Sequence, residues 1–300
     1  MPRNRARRSK CFPLWVKRAE PATRPRRASD RGFFIMTTRI ALGIEYDGSR
    51  FLGWQTQPGG GTVQDALEAA LSAIADAPVR VTCAGRTDRG VHARAQVVHF
   101  DVGVERPDSA WVRGVNAMLP DSMAVLWSQR VSNDFHARYA ARSRTYRYVL
   151  VNRPVRPALA ARHAGWYHAP LDVGPMREAA SLLLGEHDFS AFRAAECQAK
   201  NPVRTLHSVT IEREGERIEF RMRANAWLQH MARNIVGTLV YVGKGNHPPQ
   251  WVRKILDSRN RATAAPTFGP EGLYLDAVEY EAHWNLPTVQ MVKAPLPVES

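Results

Sequence analysis

The chain has 300 residues, enough for one large domain or two of ordinary size, and 44% of them are hydrophobic, enough for a sizeable core. It holds no apolar run of the roughly eighteen residues that a membrane span needs, and its three well-separated cysteines (Cys11, Cys83 and Cys197) give no disulfide framework and suit a reducing compartment. The net charge of +14 argues for a polyanionic partner, yet eleven Lys/Arg against two acids in residues 1–35 supply nine of those units, leaving the other 265 residues mildly basic at +5.

Residues 1–36 form a basic tail with several prolines and no hydrophobic periodicity, a composition expected to stay disordered. It reads as an RNA-binding arm, as an Arg-rich, acid-poor transit peptide, or as a stretch ahead of a true start at Met36, which we favour. From there Ile40, Leu42, Ile44 and Tyr46 alternate as a strand, ended by a turn at Asp47-Gly48-Ser49. Thr62-Val63-Gln64-Asp65 resembles a capping box with Asp in place of Glu or Gln. It opens a helix with Ala66, Leu67, Ala70, Leu71 and Ile74 on one face. Strands at Val79–Cys83 and Ala95–Val102, a helix near Asp108–Leu119 and a strand at Met123–Arg130 complete a β-α-β-β-α-β pattern.

The second half repeats the pattern. A strand at Arg142–Val151 precedes a helix at Asp172–Leu184, and strands at Leu206–Arg213 and Arg217–Ala224 flank a tight turn at Glu214-Gly215-Glu216. An apolar helix at Leu228–Val242 and a strand at Leu273–Tyr280 close the set. The expected class is α+β: two RRM-like or ferredoxin-like units, 37–140 and 141–284, with their sheets side by side around a central cleft. Residues 285–300 form a C-terminal tail.

Between the second and third strands lies Gly85-Arg86-Thr87-Asp88-Arg89-Gly90-Val91-His92. Two glycines allow a turn with positive φ and close approach of another molecule, and flanking guanidinium groups would keep Asp88 ionised. Asp88 reads either as a turn-capping acid or as a reacting group. Arg142, Arg144, Tyr146 and Tyr148 share one strand face, which reads as a nucleic-acid surface or as a strand with half-buried tyrosines. Arg233 lies beside the apolar stripe of Met231, Ile235, Leu239 and Val242, either snorkelling to solvent or buried against a carboxylate. Cys197 has an acidic neighbour and no local base, which excludes it as a nucleophile. No P-loop, dinucleotide fingerprint, hydrolase elbow or zinc-ligand spacing occurs, so we expect no cofactor and no metal.

Taken together, Arg39–Gly48, Gly53-Trp54-Gln55, Ala84–Asp88 with Gly90–Ala93, Phe135–Arg138, Tyr146–Tyr148, Phe192–Gln198, Met231, Arg233–Gly237 and Glu271–Leu275 resemble the tRNA pseudouridine synthase A (TruA) family, in order, over about four-fifths of the chain. The resemblance implies isomerisation of uridine to pseudouridine at nucleotides 38, 39 and 40 of the tRNA anticodon stem-loop, with no redox cofactor or metal. It implies that Asp88 is the nucleophile, Arg233 its ion-pair partner, and Tyr146 the ring that stacks on the target base. Leu273 would line the base pocket, and Arg86 would fill the gap left when the uridine leaves the stack. A cytoplasmic homodimer binding tRNA, with no membrane association, is expected. A related synthase with another RNA target and a non-catalytic RNA-binding module are the alternatives. Arg89, where the family usually has a small residue, has no role on this basis.

Overall fold

The computed structural model describes residues 37–287, all within one compact unit. The reading of the tail as disordered, as an RNA-binding arm or as a mis-assigned start falls outside the described residues. So does most of the C-terminal tail.

Strand β1 (Thr38–Tyr46) leads to helix α1 (Val63–Ala75), whose first turn holds the expected capping box: Thr62 Oγ1 accepts from Asp65 N–H, and the Asp65 carboxylate accepts from Thr62 N–H. Asp therefore serves where Glu or Gln is usual, because its shorter reach still spans the first turn. Then come β2 (Thr82–Cys83), β3 (His92–Val102) and β4 (Met123–Val131). The helix expected before β4 is reduced to a short helical stretch with a π-turn at Ala110–Gly114. The second half supplies β5 (Ala141–Asn152), β6 (Gly165–Tyr167), α2 (Val173–Ser181), β7 (Gly185–Asp188), β8 (Val203–Glu214), β9 (Arg217–Ala224), α3 (Met231–Gly243), α4 (Trp251–Ser258) and β10 (Leu273–Tyr280).

One ten-stranded sheet runs through both halves in the order β4-β1-β3-β10-β5-β9-β8-β7, with β2 on β3 and β6 on β5. Number each half's four expected strands separately, and both follow the spatial order fourth-first-third-second of a ferredoxin-like unit. The halves meet where β10 lies parallel to β3 over only two residue pairs, Tyr274 with His92 and Leu275 with Ala93. β2 is shorter than the Val79–Cys83 run suggested. It pairs only Thr82 with His99 and Cys83 with Val98, because Val79 N–H donates to Ser72 Oγ at 2.9 Å and Val81 N–H to Glu68 Oε1 at 3.0 Å, both side chains of α1. Expected strand alternation also fails in β1, where Ala41 and Gly43 are buried along with Ile40, Leu42 and Ile44. The reason is a second covering layer. Helices and a large apolar core lie on one face, while Phe135, Ala137 and Val97 pack on Ala41 from the other. Trp127 sits so close over Gly43 that a Cβ there would overlap its indole.

Between these back-face clusters the sheet carries a charged stripe. Asp276, at a bulge in β10, is buried and takes Arg94 at 3.2 Å and Arg221 at 2.7 Å, with Arg147 at 3.7 Å. These groups come from β3, β10, β5 and β9, so one carboxylate ties the halves across their shortest backbone seam. A buried charge is tolerated because it is paired, and removing one partner would strand the others.

His99, on the back face of β3, is buried and its Nδ1 accepts from Ala137 N–H at 3.1 Å. Burial pushes the imidazole from 6.5 down to about 4, aided by the nearby Arg39 charge. The unfolded chain therefore takes up this proton at higher pH than the folded one. The contribution of neutral His99 to stability is complete above about pH 6.5 and is lost as pH falls through the window down to about 4. We expect urea unfolding to show stability declining across that window, with a shallower decline in His99→Phe; equal slopes in both proteins would contradict this.

Candidate active site

The turn from Ala84 to Val91 leaves the sheet at the gap between β2 and β10. Ala84 N–H still pairs with Val97 O at 2.8 Å. At Gly85 the side-chain amide of Gln96 replaces a strand, accepting from Gly85 N–H and donating to Gly85 O at 2.5 Å. Thr87 is pinned from below by a buried hydrogen bond between its hydroxyl and the Tyr46 hydroxyl, 2.8 Å, and Trp54 N–H donates to Thr87 O. Gly53, at φ +98°, lies against this turn so closely that a Cβ would stand 3.1 Å from Arg89 N. Of the two glycines expected to need positive φ, only Gly90 does (φ +79°); Gly85 has an ordinary backbone.

Asp88 is the tip of this supported turn, about a quarter exposed. Arg233 Nη1 donates to its Oδ2 at 3.2 Å, and Arg233 Nε donates to Phe268 O at 2.8 Å, which fixes the guanidinium. His230 Nε2 lies 3.4 Å from the same oxygen. Both partners belong to the start of α3, so the carboxylate sits at the positive end of a thirteen-residue helix. The open choice for Arg233 resolves toward the paired, mostly buried alternative. The expectation that Arg86 and Arg89 hold Asp88 ionised is corrected: among the described residues neither forms an ion pair with it, its partners being Arg233 and His230, and both arginines are exposed.

A cavity of about 590 Å³ opens over Asp88, lined also by Arg89, Arg162, His230, Arg233 and Glu271. Tyr146 is buried beneath the turn, its ring edge-on to Trp227 at 5.2 Å and its hydroxyl in contact range of Gly85. Burial, reinforced by the Asp88 charge, raises its phenol well above the ordinary range, so it is a protonated donor at neutral pH. Leu273 is buried in β10 opposite Tyr148, while Leu275 is the residue opposite Tyr146. Thus Asp88 and Arg233 are in direct contact, Tyr146 lies one layer below, and Leu273 and Arg86 stand apart from the cavity lining.

The face shared by Arg142, Arg144, Tyr146 and Tyr148 is not a phosphate surface. Arg144 is buried and donates to four carbonyls: Ala84 at 3.0 Å, Arg138 at 2.6 Å, Asn225 at 3.0 Å and Ala141 at 3.3 Å. It is the clamp that joins the turn to β5 and to the segment before α3. Sequence reasoning also passed over His230, which reaches the carboxylate from a left-handed backbone position immediately before α3.

Asp47, His92 and His163 bring ligand-type atoms within 4.8 Å of one another. His92 is nevertheless committed: Nδ1 accepts from Gly48 N–H, Nε2 lies at hydrogen-bond distance from Arg162 O and Glu271 O, and the ring stacks on Tyr274 at 4.6 Å. Burial keeps its pKa low. With both nitrogens engaged it braces the cavity floor and offers no lone pair to a cation. Cys83 is likewise inert, its thiol pushed up to about 12 by burial.

A sequence model of the family described as tRNA pseudouridine synthase matches residues 43–140 and 179–281. A tRNA pseudouridine synthase A of Dechloromonas aromatica (strain RCB) is 58% identical over 249 residues, 83% of this chain and 95% of that protein. Its namesake from Burkholderia thailandensis is 56% identical over 257 residues, covering 86% and 95%. Among the described residues no helix is long and apolar enough to cross a membrane.

Arg144→Lys tests the clamp. A lysine ammonium cannot fork to four carbonyls, so we expect stability to fall by about 2 kcal/mol or more, measured by urea unfolding. A loss below about 0.5 kcal/mol, the usual range for an unimportant surface change, would show the clamp unnecessary.

Proposed function

The chain belongs to the tRNA pseudouridine synthase family, and from that premise we propose that it isomerises uridine to pseudouridine at nucleotides 38, 39 and 40 of the tRNA anticodon stem-loop, with Asp88 as nucleophile. The observation that carries the assignment of Asp88 is its place: a carboxylate at the floor of an open cavity, held on one oxygen by Arg233.

The reaction breaks the bond from uracil N1 to ribose C1′, turns the base, and forms the bond from C5 to C1′. The proton lost from C5 is balanced by one gained at N1, so nothing is oxidised or reduced. A carboxylate can add to C1′ or to the uracil ring as the old bond opens, and either route requires it ionised and fixed in direction. The Arg233 contact pairs one oxygen of the carboxylate with a cation. In this proposal Tyr146, kept protonated by burial one layer below the cavity, stacks on the base once it enters and serves the late proton transfer. Leu273, carried over with the family, contributes an apolar wall of the base pocket in this proposal.

A uridine in a helical stem must leave its stack to reach Asp88, at a cost of about a few kcal/mol. Arg86 is exposed beside the turn and, among the described residues, has no ion-pair partner, which suits it to fill the space left behind. Neighbouring target nucleotides call for recognition by shape and backbone more than by base edges. The working form in this proposal is a cytoplasmic homodimer with tRNA spanning both subunits.

Tritium release from tRNA carrying 5-³H-uridine tests the activity. We expect release from the wild-type protein and none from Asp88→Asn, with tRNA affinity unchanged to within about a few-fold. Substantial release by Asp88→Asn would refute the nucleophile assignment. Pseudouridine mapping in a deletion strain tests the target: loss at positions other than 38–40 would replace the anticodon stem-loop by another RNA site.

A further inference from the structure

His230 is the second side chain on Asp88. Its Nε2 and the Arg233 guanidinium both meet Oδ2, at 3.4 and 3.2 Å. Among the described residues no hydrogen-bond donor reaches Oδ1. His230 also lines the cavity, with 29% of its side chain exposed there.

The residue occupies a costly conformation. It stands immediately before α3 at φ +62°, ψ 0°, in the left-handed region, and its side chain makes no hydrogen bond to cap that helix. Glycine adopts this geometry without strain, so the helix itself gains nothing from a histidine. Strain retained at a non-glycine residue whose side chain reaches into a cavity points to work done by that side chain.

We propose that His230 is a positioning residue for Asp88, holding Oδ2 together with Arg233 so that Oδ1 is the oxygen presented to substrate. The inference rests on Asp88 as nucleophile. One contact leaves a carboxylate free to rotate about its own bond; a second nitrogen 3.4 Å from the same oxygen narrows that rotation. The imidazole must act as a neutral donor. Arg233 from α3 already gives Asp88 one full positive charge, Arg89 and Arg162 line the same cavity, and Glu271 is the other acid there. A second cation on Oδ2 would weaken the carboxylate as a nucleophile.

Single-turnover tritium release and tRNA binding, measured on the wild type, His230→Gly, His230→Gln and Asp88→Asn, decide the matter. His230→Gly relieves the left-handed strain and should melt no lower than the wild type. We expect it to lose about ten-fold or more in rate while its tRNA affinity stays within about two-fold. His230→Gln restores an uncharged N–H donor of similar reach, and should recover most of the wild-type rate. A His230→Gly rate within about two-fold of wild type, or a His230→Gln variant as slow as His230→Gly, would each overturn the proposal. If His230→Gly is fully active while Asp88→Asn is dead, only the positioning role falls. An active Asp88→Asn would remove the nucleophile assignment and this role with it.

Discussion

A backbone edge can be paired only once, and the site depends on how one edge of β3 is shared. Its other edge is fully taken by β1. On the shared edge β2 pairs with Val98 and His99, and β10 with His92 and Ala93. The interval between them accommodates no third strand. It is closed by Ala84 N–H on Val97 O and by the side-chain amide of Gln96 on Gly85. The chain from Gly85 to Val91 must therefore leave the sheet at the junction of the two halves. That exit brings Asp88, from the first half, under the start of α3, from the second.

The same seam explains the buried polar groups. Two residue pairs of parallel ladder are little to join two units, and polar side chains supply the rest. Asp276 gathers arginines from three other strands, His92 braces β10 and the 162–163 loop, and Arg144 clamps the turn to β5. Buried polar groups of this kind specify a unique arrangement because leaving any one unpaired is costly. They also change the meaning of the net charge. Arg94, Arg144, Arg147, Arg221 and Arg223 are committed to carboxylates or carbonyls within the fold. The positive groups that remain around the cavity, Arg89 and Arg162 with Arg86 beside them, are few but well placed. An RNA reaching Asp88 would meet local charge, although the body as a whole is only mildly basic.

Much of the architecture was legible in one dimension. The strand β1, the capping box at Thr62, the helical stripe of α3 and the tight turn at Gly215 each depend on neighbours within a few residues, and each appeared where expected. What was missed lacks such a local signal. β6 has three residues and β7 four, too short for a period to register, and α4 spans only eight. β2 contracted because the Val79 and Val81 N–H groups donate to Ser72 and Glu68 side chains of α1 rather than to β3, which no strand period reveals. Arg144 looked like an exposed base on a strand face because periodicity assigns a face without saying what covers it.

By itself, then, the order of residues determined the two β-α-β-β-α-β passes, the supported turn at Asp88 and, through its resemblance, the family. Only the tertiary structure decided which cations serve that carboxylate. Sequence neighbours at Arg86 and Arg89 seemed the natural partners, but adjacent side chains on a tight turn diverge from one another. The groups that meet Asp88 are Arg233 and His230, about 145 positions later, because sheet pairing and helix packing put the start of α3 over the turn.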